Sequence, residues 1–133
     1  MRKILSISLF LVVAWAASSV PASAHHGYAA YDMTKVLSVK ATVTGLTIVN
    51  PHSWLNYDTK DGNGDVQHWV AEAGPVRLMR ELGWTLDTVK PGDEITVYYH
   101  AAKNGAHSVD LVKIVRADGK VFLGHSINGV NER

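Results

Sequence analysis

The chain has 133 residues, a formal net charge of +1 and no cysteine, and its length indicates a single domain. Without cysteine the protein has neither disulfides nor thiolate metal ligands. The nearly balanced charge does not favour binding to nucleic acid or to an anionic membrane surface.

The first 24 residues have the pattern of a secretory signal peptide. Arg2 and Lys3 give a positive start, residues 4–20 are apolar apart from serines, and Ala22-Ser23-Ala24 offers a small-residue cleavage site. The alternative is an uncleaved membrane anchor, but the apolar stretch is short for a helix that needs about 20 residues to cross a bilayer. Cleavage after Ala24 would leave 11 Lys and Arg against 12 Asp and Glu, a net charge of −1. We therefore expect an exported protein without a membrane segment after cleavage.

An arm with little regular structure is expected over residues 25–35, with Tyr28 and Tyr31 contacting the body of the protein. The first strand follows over residues 36–49, where apolar and polar residues alternate until the phase slips at Gly45. A glycine at such a slip predicts a β-bulge that bends the strand. One long, bent strand can serve both ends of a small closed barrel.

The sequence NPHSW at residues 50–54 predicts a corner between two strands. Pro51 has no backbone N–H and so interrupts the pairing, which places His52 and Trp54 at the corner. The second strand, residues 53–59, is expected to turn Leu55 and Tyr57 inward. For the third strand, residues 66–72, the pattern leaves open whether Gln67-Trp69-Ala71 or Val66-His68-Val70 faces the core.

A short helix is predicted from Pro75 to Leu82, ended by Gly83 in a left-handed conformation and followed by Trp84 as a core residue. Three further strands are expected at residues 94–100, 106–116 and 121–123. Asn104-Gly105 predicts a two-residue hairpin between the fourth and fifth strands. Residues 125–133 are expected to form a flexible tail.

This order of elements predicts an all-β, small OB-fold-like antiparallel barrel over residues 36–124, with one short helix between strands 3 and 4. In that fold, the loops joining strands 1–2 and strands 4–5 flank the ligand face. The alternative is an open antiparallel sheet with the helix packed across it.

Histidine is the residue type that stands out as a candidate metal ligand. Cleavage after Ala24 would make His25 the N-terminus, where its amine and Nδ1 can chelate one metal ion. A third imidazole would complete a three-nitrogen site that suits Cu(II). The predicted hairpin makes His100 and His107 diagonal neighbours, on the side of the barrel that holds His52. The predicted metal ligands are His25, His26, His52, His100 and His107.

The other two histidines, His68 and His125, are interpreted as a strand residue and a tail residue. Among the metal ligands, His52 is favoured as the third copper ligand because Pro51 stiffens its corner.

No persuasive catalytic constellation is visible, so the protein is not expected to be an enzyme. The alternative to a metal-binding protein is a non-catalytic OB module that binds an envelope protein or a small ligand through Trp54, Tyr98 and the loop face. We expect a monomer in either case.

Several motifs together resemble a family of small exported bacterial proteins known only as a domain of unknown function. The motifs are the HHGY start at residue 25, NPHSW, WVAE at residue 69, LGW at residue 82 and PGDEITV at residue 91, and the resemblance spans about residues 24–124. The usual family start has serine after the two histidines, so Gly27 is a small departure. The resemblance implies a Gram-negative periplasmic location and supplies no activity.

Overall fold

The computed structural model describes residues 27–125; the predicted signal peptide, His25, His26 and residues 126–133 lie outside them. A 3-10 turn (Tyr28–Ala30) comes first. The remaining elements are β1 (Leu37–Thr47), β2 (Ser53–Lys60), β3 (Val66–Ala73), α1 (Val76–Glu81), β4 (Glu94–His100), β5 (Ser108–Arg116) and β6 (Val121–Leu123).

Five strands form a closed barrel. The sheet order is β3-β2-β1-β4-β5-β6, and a further pairing between β3 and β5 closes it. The expected OB-like barrel is therefore confirmed, with its single short helix between β3 and β4, and the open-sheet alternative is wrong. The closing pair β3–β5 is parallel, whereas the other strand pairs are antiparallel.

The bend in β1 allows closure. Its first half pairs with β4 from Leu37 to Thr42, and its second half pairs with β2 from Thr42 to Thr47. The register against β2 shifts between Val43 and Gly45, which confirms the predicted bulge. One strand thus belongs to both halves of the barrel.

Side chains fill the barrel as the alternation predicts. Leu55 and Tyr57 of β2 are buried, as are Ile95, Val97 and Tyr99 of β4. Ala71 is buried and Trp69 packs against the core, so the Gln67-Trp69-Ala71 face of β3 is the inner one.

The helix and the strand corner are fastened to each other. The side-chain oxygen of Asn50 accepts a hydrogen bond of 3.1 Å from the backbone N–H of Val76, the first residue of α1. Gly83 ends the helix with a φ of +84°, and Trp84 is buried with its Nε1 donating to the Leu123 carbonyl at 2.7 Å. The predicted left-handed glycine at the end of the helix and the predicted core position of Trp84 are both confirmed.

The predicted two-residue hairpin at Asn104-Gly105 is wrong. Gly105 does form a turn, with its N–H bonded to the Ala102 carbonyl, but β4 ends at His100 and β5 begins at Ser108. The backbone between β4 and β5 is instead bonded to other segments of the chain. Ala102 forms a β-bridge with Tyr31, and the His107 carbonyl accepts a hydrogen bond from the Val70 N–H. His100 and His107 are consequently not cross-strand neighbours.

Gly124 and His125 follow β6 and form a short segment, the strap, which links β5 to the end of β3 through Gly124. Its N–H donates to the Val112 carbonyl at 2.9 Å, and its carbonyl accepts from Gly74 at 3.0 Å. A Cβ at this position would lie 2.1 Å from the Leu111 carbonyl oxygen. Only glycine fits at this approach between two backbones.

Gly124→Ala is expected to destabilise the protein by about 3 kcal/mol or more, at or above the upper end of the usual cost of overpacking, because backbone must move. Urea unfolding followed by circular dichroism measures the change. Gly62→Ala is the control, since its Cβ would meet no atom within 4 Å and its stability should change by less than about 0.5 kcal/mol. Equal stabilities of the two variants would contradict the close approach.

Candidate functional site

Four side chains on four neighbouring strands form a row across the outer face of the barrel. Strand register places Trp54 of β2 beside Glu72 of β3, Glu72 beside Asp110 of β5, and Asp110 beside His100 of β4. Asp110 points away from the core and yet is only 4% exposed. Tyr31 of the arm, whose described part is residues 27–35, contacts Glu72, and His125 contacts Asp110.

Glu72 is the centre of this cluster. The Tyr31 hydroxyl donates a hydrogen bond of 2.9 Å to its Oε2, and His52 Nδ1 lies 2.7 Å from its Oε1. Burial and the hydrogen bond to Glu72 raise the pKa of Tyr31 to about 12, so this hydroxyl remains a donor throughout the neutral range. One carboxylate thereby holds the arm on one oxygen and the corner histidine on the other.

The short contact determines where His52 carries its proton. At 2.7 Å a nitrogen lone pair and a carboxylate oxygen would repel, which favours hydrogen on Nδ1, although the N–H is not well aligned with Oε1. The ring is 44% exposed, and Nε2 on its opposite side is the nitrogen left for a ligand. Metal-ligating histidines are commonly oriented in this way by a carboxylate behind them.

Asp110 is in contact with a second histidine, His125. His125 Nε2 lies 2.8 Å from Asp110 Oδ1, but the N–H is not aligned with that oxygen, and Nε2 has no well-formed hydrogen bond among the described residues. Burial lowers the pKa of His125, but the adjacent Asp110 carboxylate and the Glu72 backbone carbonyl outweigh it, so the net pKa is raised. The edge of the Tyr28 ring faces the His125 ring at 6.1 Å between centroids.

Backbone hydrogen bonds fix the arm along the β4–β5 connection. Asp32 N–H donates to the Ala101 carbonyl at 2.8 Å, and Lys103 N–H donates to the Ala30 carbonyl at 2.9 Å. Tyr31 is buried, which confirms that it contacts the body, whereas Tyr28 is 57% exposed and rests on His125.

The remaining predicted ligands lie apart from one another. His107 stacks on Trp69 at 4.0 Å between ring centroids, and His100 Nδ1 donates to the Lys35 carbonyl at 2.9 Å. Within residues 27–125, no three His, Asp or Glu side chains are arranged to hold a metal ion. The expected convergence of His52, His100 and His107 on one site is therefore not found among these residues.

Trp54 and Tyr98 do not form one surface. The Trp54 ring lies 6.4 Å from the His52 ring, while Tyr98 on β4 packs under the Lys113 ammonium at 5.0 Å from its ring centre. Their two strands flank β1, where Trp54 pairs with Thr47 and Tyr98 pairs with Ser38 near opposite ends of that strand. An open cavity of about 690 Å³ lies elsewhere, lined by Lys40, Lys60, Arg116 and neighbouring residues, and none of the predicted site residues borders it.

Sequence reasoning missed the two carboxylates and His125. Asp110 interrupts the apolar run from Val109 to Val112, which was an available signal, because a charge inside such a run needs a partner. His125 was assigned to a tail, but the strap places its half-buried ring against Asp110.

A family model with the description "family of unknown function (DUF6152)" matches residues 13–110, more than half of the chain. The chain belongs to the DUF6152 family. The unknown-function family suggested by the motifs is thus confirmed, and its description carries no activity. No curated protein matches the chain. The match spans His25, His52, Glu72 and Asp110 and ends before His125.

Of the helices in residues 27–125, none combines the length and apolarity needed to cross a bilayer.

Replacing His125 should change how stability depends on pH. Because its pKa is raised in the folded protein, its contribution is fully present below the unfolded value near 6.5 and is lost as pH rises through the folded value. His125→Gln should remove this decline, whose slope for one proton is at most about 1.4 kcal/mol per pH unit. Urea unfolding between pH 5.5 and about 9 measures it.

His68→Gln is the matched control. His68 also faces a carboxylate, that of Asp58, but its side chain is 83% exposed. This variant should keep the wild-type dependence on pH, and a wild-type slope in His125→Gln would contradict the assignment.

Proposed function

We propose that this protein is a periplasmic copper-binding protein. In the proposed site, the amine and imidazole of His25, released as the N-terminus by signal cleavage, bind Cu(II) together with Nε2 of His52. The observation that carries the proposal is the shared carboxylate of Glu72, which holds Tyr31 of the arm and His52 of the corner side by side. Three nitrogen donors suit Cu(II), and no thiolate competes because the chain has no cysteine.

Only a short stretch of chain separates His25 from the docked part of the arm. His25 is three residues from Tyr28, which is at most about 11 Å of extended chain. Ordering a mobile arm would cost about 1–2 kcal/mol per residue. Residues 27–35 are already fixed by the hydrogen bonds to Glu72, Ala101 and Lys103, so little of that cost is left for ligation to offset.

Comparison with the other histidines favours His52. His68 has an equally short contact to a carboxylate, 2.6 Å to Asp58, but it lies on the β2–β3 hairpin rather than beside the arm. The ring of His107 is stacked on Trp69. His26 and His100, at the two ends of the arm, are secondary candidates. The proposed role is copper delivery or buffering by a monomer, without catalysis.

Titration of the correctly cleaved protein with Cu(II) tests the site. His25→Ala, His52→Ala and one extra residue before His25 should each weaken binding by more than the 10–100-fold typical of an outer-shell group, because each removes a ligand. His68→Ala is the matched control and should change the affinity little, as should His107→Ala.

Equal, small losses in all the variants would mean adventitious surface binding and would reject the copper site. The alternative is then an OB module that binds an envelope protein or a small ligand. Trp54→Ala would abolish that binding, and an added N-terminal residue would leave it unchanged.

The proposed location is tested separately by the intact mass of the exported protein. We expect the mass of residues 25–133, with His25 as the first residue, in a periplasmic extract. A mass that retains residues 1–24 would contradict both the location and the amine ligand, since the amine of His25 would then be a peptide nitrogen.

A further inference from the structure

The Glu72 carboxylate serves two groups from different parts of the chain. Its Oε2 accepts from the Tyr31 hydroxyl, and its Oε1 lies 2.7 Å from Nδ1 of His52. The Glu72 side chain is only 17% exposed, so water replaces neither partner easily. The same atoms therefore hold the arm down and fix the form of the His52 ring.

We infer that Glu72 is a positioning residue that couples the docking of the arm to the tautomer of His52. Its role rests on the proposed function, because the Nδ1–H tautomer leaves the lone pair of Nε2 for a metal. Free neutral histidine in water prefers the opposite tautomer, with hydrogen on Nε2. Glu72 reverses that preference and, through Tyr31, holds the arm at the same place.

The coupling works in both directions. Whatever draws the Glu72 carboxylate away from Tyr31 also removes the partner of His52 Nδ1–H. Linked equilibria of this kind are reciprocal, so ligation at His52 Nε2, which favours the Nδ1–H tautomer, also favours the docked arm. Docking and ligation then stabilise each other rather than being independent.

The test uses metal-free, correctly cleaved protein at a pH where His52 is neutral. Ring ¹⁵N chemical shifts report which nitrogen of His52 bears hydrogen. Hydrogen exchange of the Asp32 and Lys103 amides reports docking, because each bonds across the contact between the arm and the barrel. The Val70 amide, bonded to the His107 carbonyl, is the internal reference.

Glu72→Met keeps approximate side-chain size and removes both acceptors. We expect His52 to change to the Nε2–H tautomer and both arm amides to exchange at least about tenfold faster, as for the loss of a hydrogen bond to a charged group. The Val70 amide should keep its rate. An unchanged tautomer, or unchanged exchange at the arm amides, would overturn the inference.

Tyr31→Phe provides a second, milder variant should Glu72→Met fail to fold. It should accelerate the arm amides while His52 keeps the Nδ1–H tautomer, since Oε1 is intact; unchanged arm exchange would overturn the inference. Asp58→Ala is the matched control, and it should change the tautomer of His68 and leave His52 and the arm as they are.

These results are separable from copper binding, because no metal is present. Failure of wild-type protein to bind Cu(II) would reject the proposed function and leave the coupling intact. Normal copper binding with an unaltered His52 in Glu72→Met would reject the coupling alone.

Discussion

Two acidic side chains stand next to each other on paired strands of the closed barrel, and the surrounding structure must accommodate them. Glu72 and Asp110 are direct neighbours in the β3–β5 pairing, and neighbouring strands are only about 4.8 Å apart. Like charges so placed repel unless opposite charges or hydrogen-bond donors offset them. Tyr31, His52 and His125 supply these groups, each from a different segment of the chain.

The three segments reach the carboxylates by different structural routes. The corner after β1 carries His52 and is tied to α1 by Asn50. The strap after β6 carries His125, and it lies close enough to β5 only because Gly124 has no side chain. The arm brings Tyr31 along the β4–β5 connection. Barrel closure, strap and arm are therefore parts of one arrangement around the acidic pair.

The fold was predictable from sequence because its signals are local. Alternating apolar residues mark the strands, Gly45 marks the bend, and Gly83 with Trp84 marks the end of the helix and its core residue. Local signals failed at Asn104-Gly105. The turn forms there, but the residues on either side of it bond to distant segments of the chain instead of to each other. Turn chemistry alone could not reveal that competition.

The site was predictable only in part, because most of its contacts join residues that are distant in the sequence. Pro51 identified the corner and hence His52. Glu72, Asp110 and His125 come together through a parallel pairing and a strap, and neither leaves a periodic pattern in the sequence. A charged residue in an apolar strand, such as Asp110, signals that a partner exists without identifying it.

The parallel closing pair also has a consequence for the order of folding. It joins strands separated by the helix and β4, so among the described strand pairs only β1–β4 is more non-local, and such contacts form slowly. The arm bonds to Glu72 of β3 and to the connection between β4 and β5, and these two lie side by side only when that pair exists. Ordering of the arm is therefore a late event in folding, and residues 27–35 stay undocked in a chain whose barrel has not closed.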